Sequence, residues 1–470
     1  MKACCAILII LQGERKVMER EHLGSRLGFI LLSAGCAIGI GNVWKFPWLV
    51  GQYGGGAFVL IYLGFLLLMG VPVMTMEFAM GRASQKSPVR MYGALEPKGT
   101  KWHIHGFFAF IGNYVLMMFY TCVCGWMLQY FVSTAAGKFE GLDTEGVSAE
   151  FDRMMDSPAR QWGFMAVSVI AGFFILSLGL QKGVEKVTKF MMIALILIML
   201  VLAVHSIAVP GGGEGLAFYL TPNPEEIRKA GIFKVIQNAM NQSFFTLSIG
   251  MGGMAIFGSY IGKDHALLGE SVHVAALDTF VAFTSGLIIF PACFAYGVRP
   301  DSGPSLIFKT LPNIFNHMPL GRLWGALFFV FMTFAAFSTV IGVFENIIAM
   351  FMDLTSWGRK RSCLVNCVLM LLLATPCAFG FNIWSGVTIA GKNFMDMEDF
   401  LVSNLVLPLG SLIFCIFCTR KSGWGWDNFV EEANTGRGLK MQRWMRFYLT
   451  YILPVLFLIV FLMGILPHKN

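Results

Sequence analysis

Two stretches of this chain set backbone and hydroxyl donors in the middle of otherwise membrane-length apolar segments. Ser33-Ala34-Gly35-Cys36-Ala37-Ile38-Gly39-Ile40-Gly41-Asn42 lies between Leu27 and Val50, with three glycines in seven residues, a composition poorly suited to a continuous helix. Ser243-Phe244-Phe245-Thr246-Leu247-Ser248-Ile249-Gly250-Met251-Gly252-Gly253 repeats the pattern further along. Backbone groups released inside a bilayer cost several kcal/mol each unless something polar takes them up, so such a break persists only where it lines a cavity or holds a ligand. Broken helix ends offer N–H groups to an anion and freed carbonyls to a hard cation. A zwitterion bound together with Na⁺ suits that chemistry. Small residues that merely let helices pack closely are the competing reading for one such run; two runs five spans apart weaken it. Asp278 and Lys45 are ionisable residues in apolar surroundings, expensive there and functional by default. For Asp278, an ordinary helix-end acid facing the cytoplasm stays open as the alternative. Ser338-Thr339, taken alone, reads as a back-bonded packing pair rather than a metal site.

These groups need membrane helices to position them. The chain has 470 residues, 56% hydrophobic and 13% charged, far from a soluble balance. Apolar runs long enough to cross about 30 Å of hydrocarbon fall at 27–44, 57–76, 106–137, 161–181, 190–213, 235–262, 279–298, 323–344, 362–391, 400–419 and 447–467. The expectation is an all-α membrane protein of eleven transmembrane helices. Spans one and six, the two with breaks, correspond if residues 26–213 and 214–420 form two five-span halves of opposite topology, with 421–470 supplying a cytoplasmic loop and the appended eleventh helix. Lys and Arg are roughly twice as numerous on one side of this arrangement as on the other. That places residues 1–25 in the cytoplasm and the C-terminus outside the cell membrane. The net charge of +8 then follows from topology. No basic patch with interleaved aromatics argues for nucleic acid, and the bilayer is the one macroscopic partner expected, with no obligatory protein partner. Met18 opens a plausible cytoplasmic lead-in, so residues 1–17 are expected not to belong to the native chain. The eleven cysteines lie mostly within spans and read as packing residues, with no disulfide framework and no metal-ligand spacing.

Arg20-Glu21-His22, Ser25-Arg26-Leu27-Gly28-Phe29, Gly39-Ile40-Gly41-Asn42-Val43-Trp44-Lys45-Phe46-Pro47, Gly54-Gly55-Gly56-Ala57-Phe58, Met76-Glu77-Phe78-Ala79-Met80-Gly81-Arg82 and Phe244-Phe245-Thr246-Leu247-Ser248 together resemble the neurotransmitter:sodium symporter family, in particular its eleven-span bacterial amino acid transporters. The resemblance runs from about residue 20 to the end. It implies the inverted-repeat fold of the bacterial leucine transporter with helices 1 and 6 broken, alternating access, and Na⁺-driven uptake of an amino acid. It also implies two sodium sites. The first would use Ala37, Asn42, Thr246 and Asp278 with the substrate carboxylate; the second would use the carbonyls of Gly35, Ile38 and Ala335 with the hydroxyls of Ser338 and Thr339. Oxygen-only donor sets fit a hard monovalent cation. The substrate carboxylate would meet the backbone near Ile40 and Gly41 and the Tyr120 hydroxyl, and the amino group would meet carbonyls near Ala37, Phe245 and Ser248. Ile40, Leu116, Phe245, Ser248, Met251 and Val343 would line an uncharged side-chain pocket, with Thr246 alongside.

Departures from the family pattern sharpen the expectation. Gly39 stands where amine-transporting relatives place an Asp, so the substrate should bring its own carboxylate. Met251 replaces a phenylalanine of the leucine transporter, and a flexible thioether adapts to large aliphatic and aromatic side chains. Asp278 stands where that transporter has Asn, and Ala282 where chloride-dependent relatives have Ser; a fixed charge beside Na⁺ would then make chloride unnecessary. Lys45, Asp399 and Phe400 match the extracellular gate, with Lys in place of the commoner Arg and so a point charge in place of a fork. Arg20, Ser259, Tyr260 and Asp353 match the intracellular gate, where Leu23 replaces the usual Trp. Glu77 would brace the unwound backbone of span six. Ile193 stands where relatives often carry a proline that helps span five unwind. No residues join a nucleophile to a base, so the chain is not expected to be an enzyme. A sensor that binds without transporting, and a proton-coupled transporter of the same fold, are the alternatives. The second typically has a basic residue near the second sodium site, and none lies between Phe190 and Val204.

Overall fold

The computed structural model describes residues 21–297 and 306–465; Arg20 and residues 1–17 of the sequence-based expectations lie outside them. The apolar runs become helices α1 (Arg26–Ala37), α2 (Gly41–Gln52), α3 (Gly56–Ser84), α4 (His103–Ala135), α5 (Pro158–Ser177), α6 (Leu180–Ala208), α7 (Ile232–Leu247), α8 (Gly253–Gly258), α9 (Leu267–Ala295), α10 (Gly321–Thr355), α11 (Arg359–Phe379), α12 (Phe394–Thr419) and α13 (Met445–Ile465). Shorter helices lie in the loops.

Both glycine-rich runs break the helix that contains them. After α1 the chain becomes extended at Ile38, and the axis of α2 is bent from that of α1 by 56°. Between α7 and α8, Ser248, Gly250 and Gly252 all take positive φ, at 51°, 97° and 76°. Glycine carries that conformation without a steric penalty, whereas Ser248 is strained. Among the described residues, nine unbroken helices can cross a membrane, or ten crossings with the bent α1–α2 pair. The expected sixth crossing is split into pieces of 16 and 6 residues, neither long enough alone. The count of eleven is reached only when those two pieces act as one crossing.

Several helices outrun the apolar windows, because windows end at charges and helices do not. α10 continues past Glu345, and α9 begins well before Asp278. Their charges are met across space: Glu345 by Arg359 at 2.6 Å and Glu270 by Arg26 at 2.7 Å. The ninth window fails in the other direction, since α11 ends at Phe379 and residues 380–391 form turns. Where the broken α7–α8 pair meets α3, contact is backbone to backbone. A Cβ on Gly81 would lie 1.8 Å from the Ala255 carbonyl oxygen, and one on Gly258 would lie 2.4 Å from that of Phe78. This close seam fixes α8 on α3, directly below the second break.

Candidate functional site

The two breaks face each other at the centre of the bundle, and the polar residues of the sequence motifs converge there. The Asn42 amide donates to an Asp278 carboxylate oxygen at 2.8 Å, and the Thr246 hydroxyl donates to the other at 3.1 Å. The Asn42 side-chain oxygen in turn accepts from the Gly39 N–H at 3.0 Å. One buried carboxylate on α9 thus ties the first break to the second. An unpaired buried charge is costly, and the donors that reach this carboxylate are neutral.

A second cluster of oxygens sits where α10 crosses the first break. The Thr339 hydroxyl lies 3.1 Å from the Ile38 carbonyl and 3.5 Å from those of Gly35 and Ala335; the Ser338 hydroxyl lies 3.4 Å from Ile38 and 3.0 Å from Ala335. All five predicted donors of the second sodium site are therefore brought within a few ångströms of one another. Gly35 also packs on Thr188 and Met192 of α6, neither of them basic.

Between these clusters lies a small cavity of about 20 Å³ lined by Ala37, Gly39, Gly41, Leu116, Tyr120 and Phe245, and closed by Ser248, Met251, Thr339, Val402 and Leu407. No charged side chain faces it. The Ile40 N–H donates to the Tyr120 hydroxyl at 3.0 Å, so a helix-end donor and a phenol meet at its rim. Of the predicted pocket residues, Thr246 points to Asp278, Ile40 lines the neighbouring cavity, and Val343, though buried, lines neither. Thr339, Val402 and Leu407 complete the wall without having been foreseen. The last two sit in and just beyond a widened turn of α12, Leu401–Val406, which an apolar sequence does not announce.

Above Tyr120 and Phe245 a second cavity of about 160 Å³ opens among Trp44, Lys45, Trp48, Met395 and Asp399. The Lys45 ammonium lies 4.1 Å from the Phe245 ring centroid, and Asp399 accepts from Ser403 at 2.8 Å. Lys45 and Asp399 share this cavity without an ion pair between them among the described residues. Phe400 lies beneath the Lys392 ammonium, at 5.4 Å, rather than on this cavity.

At the opposite end the closure is thicker. Tyr260 donates to Glu345 at 2.6 Å; Arg359 forms a two-pronged pair with the same carboxylate at 2.6 and 2.9 Å and reaches Glu21 at 3.2 Å. Glu21 also accepts from the Leu180 N–H, the Leu23 N–H donates to the Tyr260 carbonyl, and the Ser87 N–H donates to Asp353. Ser259 bonds back to the Ile256 carbonyl. Glu21, Glu345 and Arg359 were not foreseen in this closure. Their signal was a Glu inside a long helical period, masked because the apolar window stops one residue before it.

Glu77, fully buried on α3, accepts from the N–H groups of Gly250 at 2.6 Å and Met254 at 3.1 Å. It satisfies backbone donors that the second break releases. Ile193 stands within a continuous stretch of α6 and is half exposed; the irregular turn of that span lies earlier, at Leu180–Glu185.

Comparison with known proteins agrees with this arrangement. A profile of the Sodium:neurotransmitter symporter family matches residues 20–140 and 147–470. The chain is 33% identical over 443 residues to an uncharacterized sodium-dependent transporter, YhdH, of Bacillus subtilis, covering 93% of this chain and 96% of that one. It is 28% identical over 460 residues to an uncharacterized sodium-dependent transporter of Haemophilus influenzae, covering 94% and 98%. The crystal structure of MhsT in complex with L-phenylalanine superposes with a TM-score of 0.85 at 36% identity, over 95% of this chain and all of that one. With broken helices meeting at a buried carboxylate and a family match along nearly its whole length, this chain belongs to the sodium:neurotransmitter symporter family and is a multi-pass membrane transporter that uses sodium.

Proposed function

We propose that the chain imports an apolar or aromatic L-amino acid with two Na⁺ and without chloride, by alternating access, from a cell membrane in which its N-terminus is cytoplasmic. The observation that carries this reading is the Asp278 carboxylate held between Asn42 and Thr246 beneath an uncharged pocket. The carboxylate supplies beside the first ion the negative charge that a bound chloride would otherwise supply. Ala37 adds its carbonyl there, and the substrate carboxylate adds an oxygen while meeting Tyr120 and the backbone at Ile40 and Gly41. Gly35, Ile38, Ala335, Ser338 and Thr339 hold the second ion. Met251, Leu116 and Phe245 receive the side chain, and the complex of a homologue with L-phenylalanine supports an aromatic one. Lys45, Asp399 and Phe400 serve the outer gate; Tyr260, Ser259 and Asp353, with Arg20, serve the inner one. Two Na⁺ moving with a zwitterion carry two charges, worth about 4.6 kcal/mol at roughly 100 mV, or about three decades of accumulation before the Na⁺ gradient is counted.

The test is uptake into proteoliposomes across an amino acid panel, with Na⁺, K⁺ and chloride varied separately. Phenylalanine, tryptophan and leucine are expected to accumulate only with an inward Na⁺ gradient, with a Na⁺ Hill coefficient above one. Gluconate in place of chloride should leave the rate unchanged. Competition by glycine or charged amino acids alone would refute the apolar pocket, and tight Na⁺-dependent binding without net uptake would point to a sensor. A K⁺-insensitive, proton-driven flux would exclude sodium coupling.

Gly39 offers a sharper check of the pocket. A Cβ there would lie 2.2 Å from the Tyr120 hydroxyl and 2.5 Å from that of Thr339. Overpacking of this kind costs about 1–3 kcal/mol. Gly39→Ala is therefore expected to weaken substrate binding at least about tenfold and also to lower the stability of the ligand-free protein by about 1–3 kcal/mol, since the crowded groups are the protein's own. Binding within threefold of wild type would place the substrate elsewhere.

A further inference from the structure

A wide opening lies away from the central site, between the end of α12 and the start of α13, where a cavity of about 650 Å³ is walled by Arg420, Lys421, Arg443 and Arg446. Four cations around one opening repel one another unless an anion joins them. Among the described residues, only Arg446 has an ion-pair partner, a 3.9 Å contact with the exposed Asp427. Arg420 spends its bonding on the Thr450 carbonyl, at 3.3 Å, and its guanidinium lies over the Tyr451 ring at 4.9 Å. Thr450 lines the same cavity, is 93% buried, and its hydroxyl has no hydrogen-bond partner. That hydroxyl sits in a widened turn, Tyr448–Ile452, where the acceptor one turn back is displaced.

The surroundings decide between a soluble anion and an amphiphile. Trp444 and Phe447 stand exposed at the mouth of the cavity, the position of interfacial aromatics at headgroup depth. From it a rail of exposed apolar residues, Tyr451, Val455, Leu458 and Leu462, runs along one face of α13 at helical spacing. The Ser422 carbonyl accepts from Trp102 at 2.7 Å, which sets the cavity at the bundle end where α4 begins. We infer that this cavity binds the phosphodiester headgroup of an anionic phospholipid, with the acyl chains lying on the α13 rail. Guanidinium groups match phosphate oxygens, and basic pockets between membrane helices take anionic headgroups.

The experiment uses the purified full-length protein and measures lipid binding by native mass spectrometry, with thermal melting as a second readout. The probes are phosphatidylglycerol, phosphatidylcholine of the same chains, and inorganic phosphate. Wild type is expected to prefer phosphatidylglycerol over phosphatidylcholine by at least about tenfold, and K421Q/R443Q/R446Q to lose that preference. A charge-matched variant elsewhere, K182Q/K186Q/K360Q, should keep it. T450V, which removes the buried hydroxyl and no charge, should weaken it about threefold. Equal binding of the two lipids by wild type, or equal loss in the charge-matched variant, would overturn the site. Stabilisation by inorganic phosphate as large as that by phosphatidylglycerol would show a free-anion site and overturn the lipid assignment.

Discussion

Asp278→Asn is expected to weaken Na⁺ binding by two to three decades while leaving the transporter folded. The substitution preserves shape and leaves one oxygen for Asn42 or Thr246, which contact the carboxylate at 2.8 and 3.1 Å. What it removes is the full negative charge. At about 4 Å and an effective dielectric near 20, a unit charge pair is worth about 4 kcal/mol, and the retained amide dipole returns part of that. The measurement is the Na⁺ dependence of substrate binding to the purified variant in chloride-free buffer, with the melting temperature as a check on folding. Substrate affinity at limiting Na⁺ should fall in step, because coupling between two ligands is reciprocal. An unchanged Na⁺ midpoint would remove Asp278 from the ion site and return it to a structural role between the two breaks.

Glu77→Ala is expected to cause the largest loss of stability of any single change near the site. The Gly250 and Met254 N–H groups have no helical carbonyl to turn to, and each donates to this carboxylate. Leaving a buried donor unmade costs about 1–3 kcal/mol, so losing both amounts to about 2–6 kcal/mol. Glu77→Gln keeps an acceptor for one of them and should lose roughly half as much. Thermal unfolding of the detergent-solubilised protein reads the difference, and saturating Na⁺ and substrate should recover part of it by mass action. A Glu77→Ala protein that melts like wild type would show that water or another side chain takes up those donors.

The breaks were legible in the sequence because their cause is local. Glycine clusters inside apolar runs are unfavourable to helix wherever they occur, and the α1–α2 bend and the positive φ values between α7 and α8 follow directly. Asp278 stood out by itself as an ionisable residue in apolar surroundings, whereas the convergence of Asn42 and Thr246 on it and of Ser338 and Thr339 on the first break was legible only through resemblance, since nothing in an isolated Ser-Thr pair distinguishes packing from coordination. The Glu21–Arg359–Glu345–Tyr260 closure was not legible. Its three charges sit on three separate segments, and each alone resembles a solvated helix end. Val402 and Leu407 escaped for the opposite reason: an apolar residue facing a pocket has the same identity as one facing lipid, and only the widened turn of α12 separates them. The number of crossings was also partly hidden, because a hydropathy window cannot tell one helix from two short ones that meet at a break.

The partition between the two cavities consists of two side chains, Tyr120 and Phe245, which border both. The opposite barrier is made of whole helix ends held by a backbone seam and a chain of ion pairs. Displacing two side chains disturbs far less of the packed structure than shifting whole helices, which move in microseconds to milliseconds. In the proposed cycle, a solute arriving from the Lys45 side has two side chains to displace, and one leaving past Arg359 has several helix ends to displace at once. Opening at the Arg359 end is therefore the step of that cycle expected to be slower.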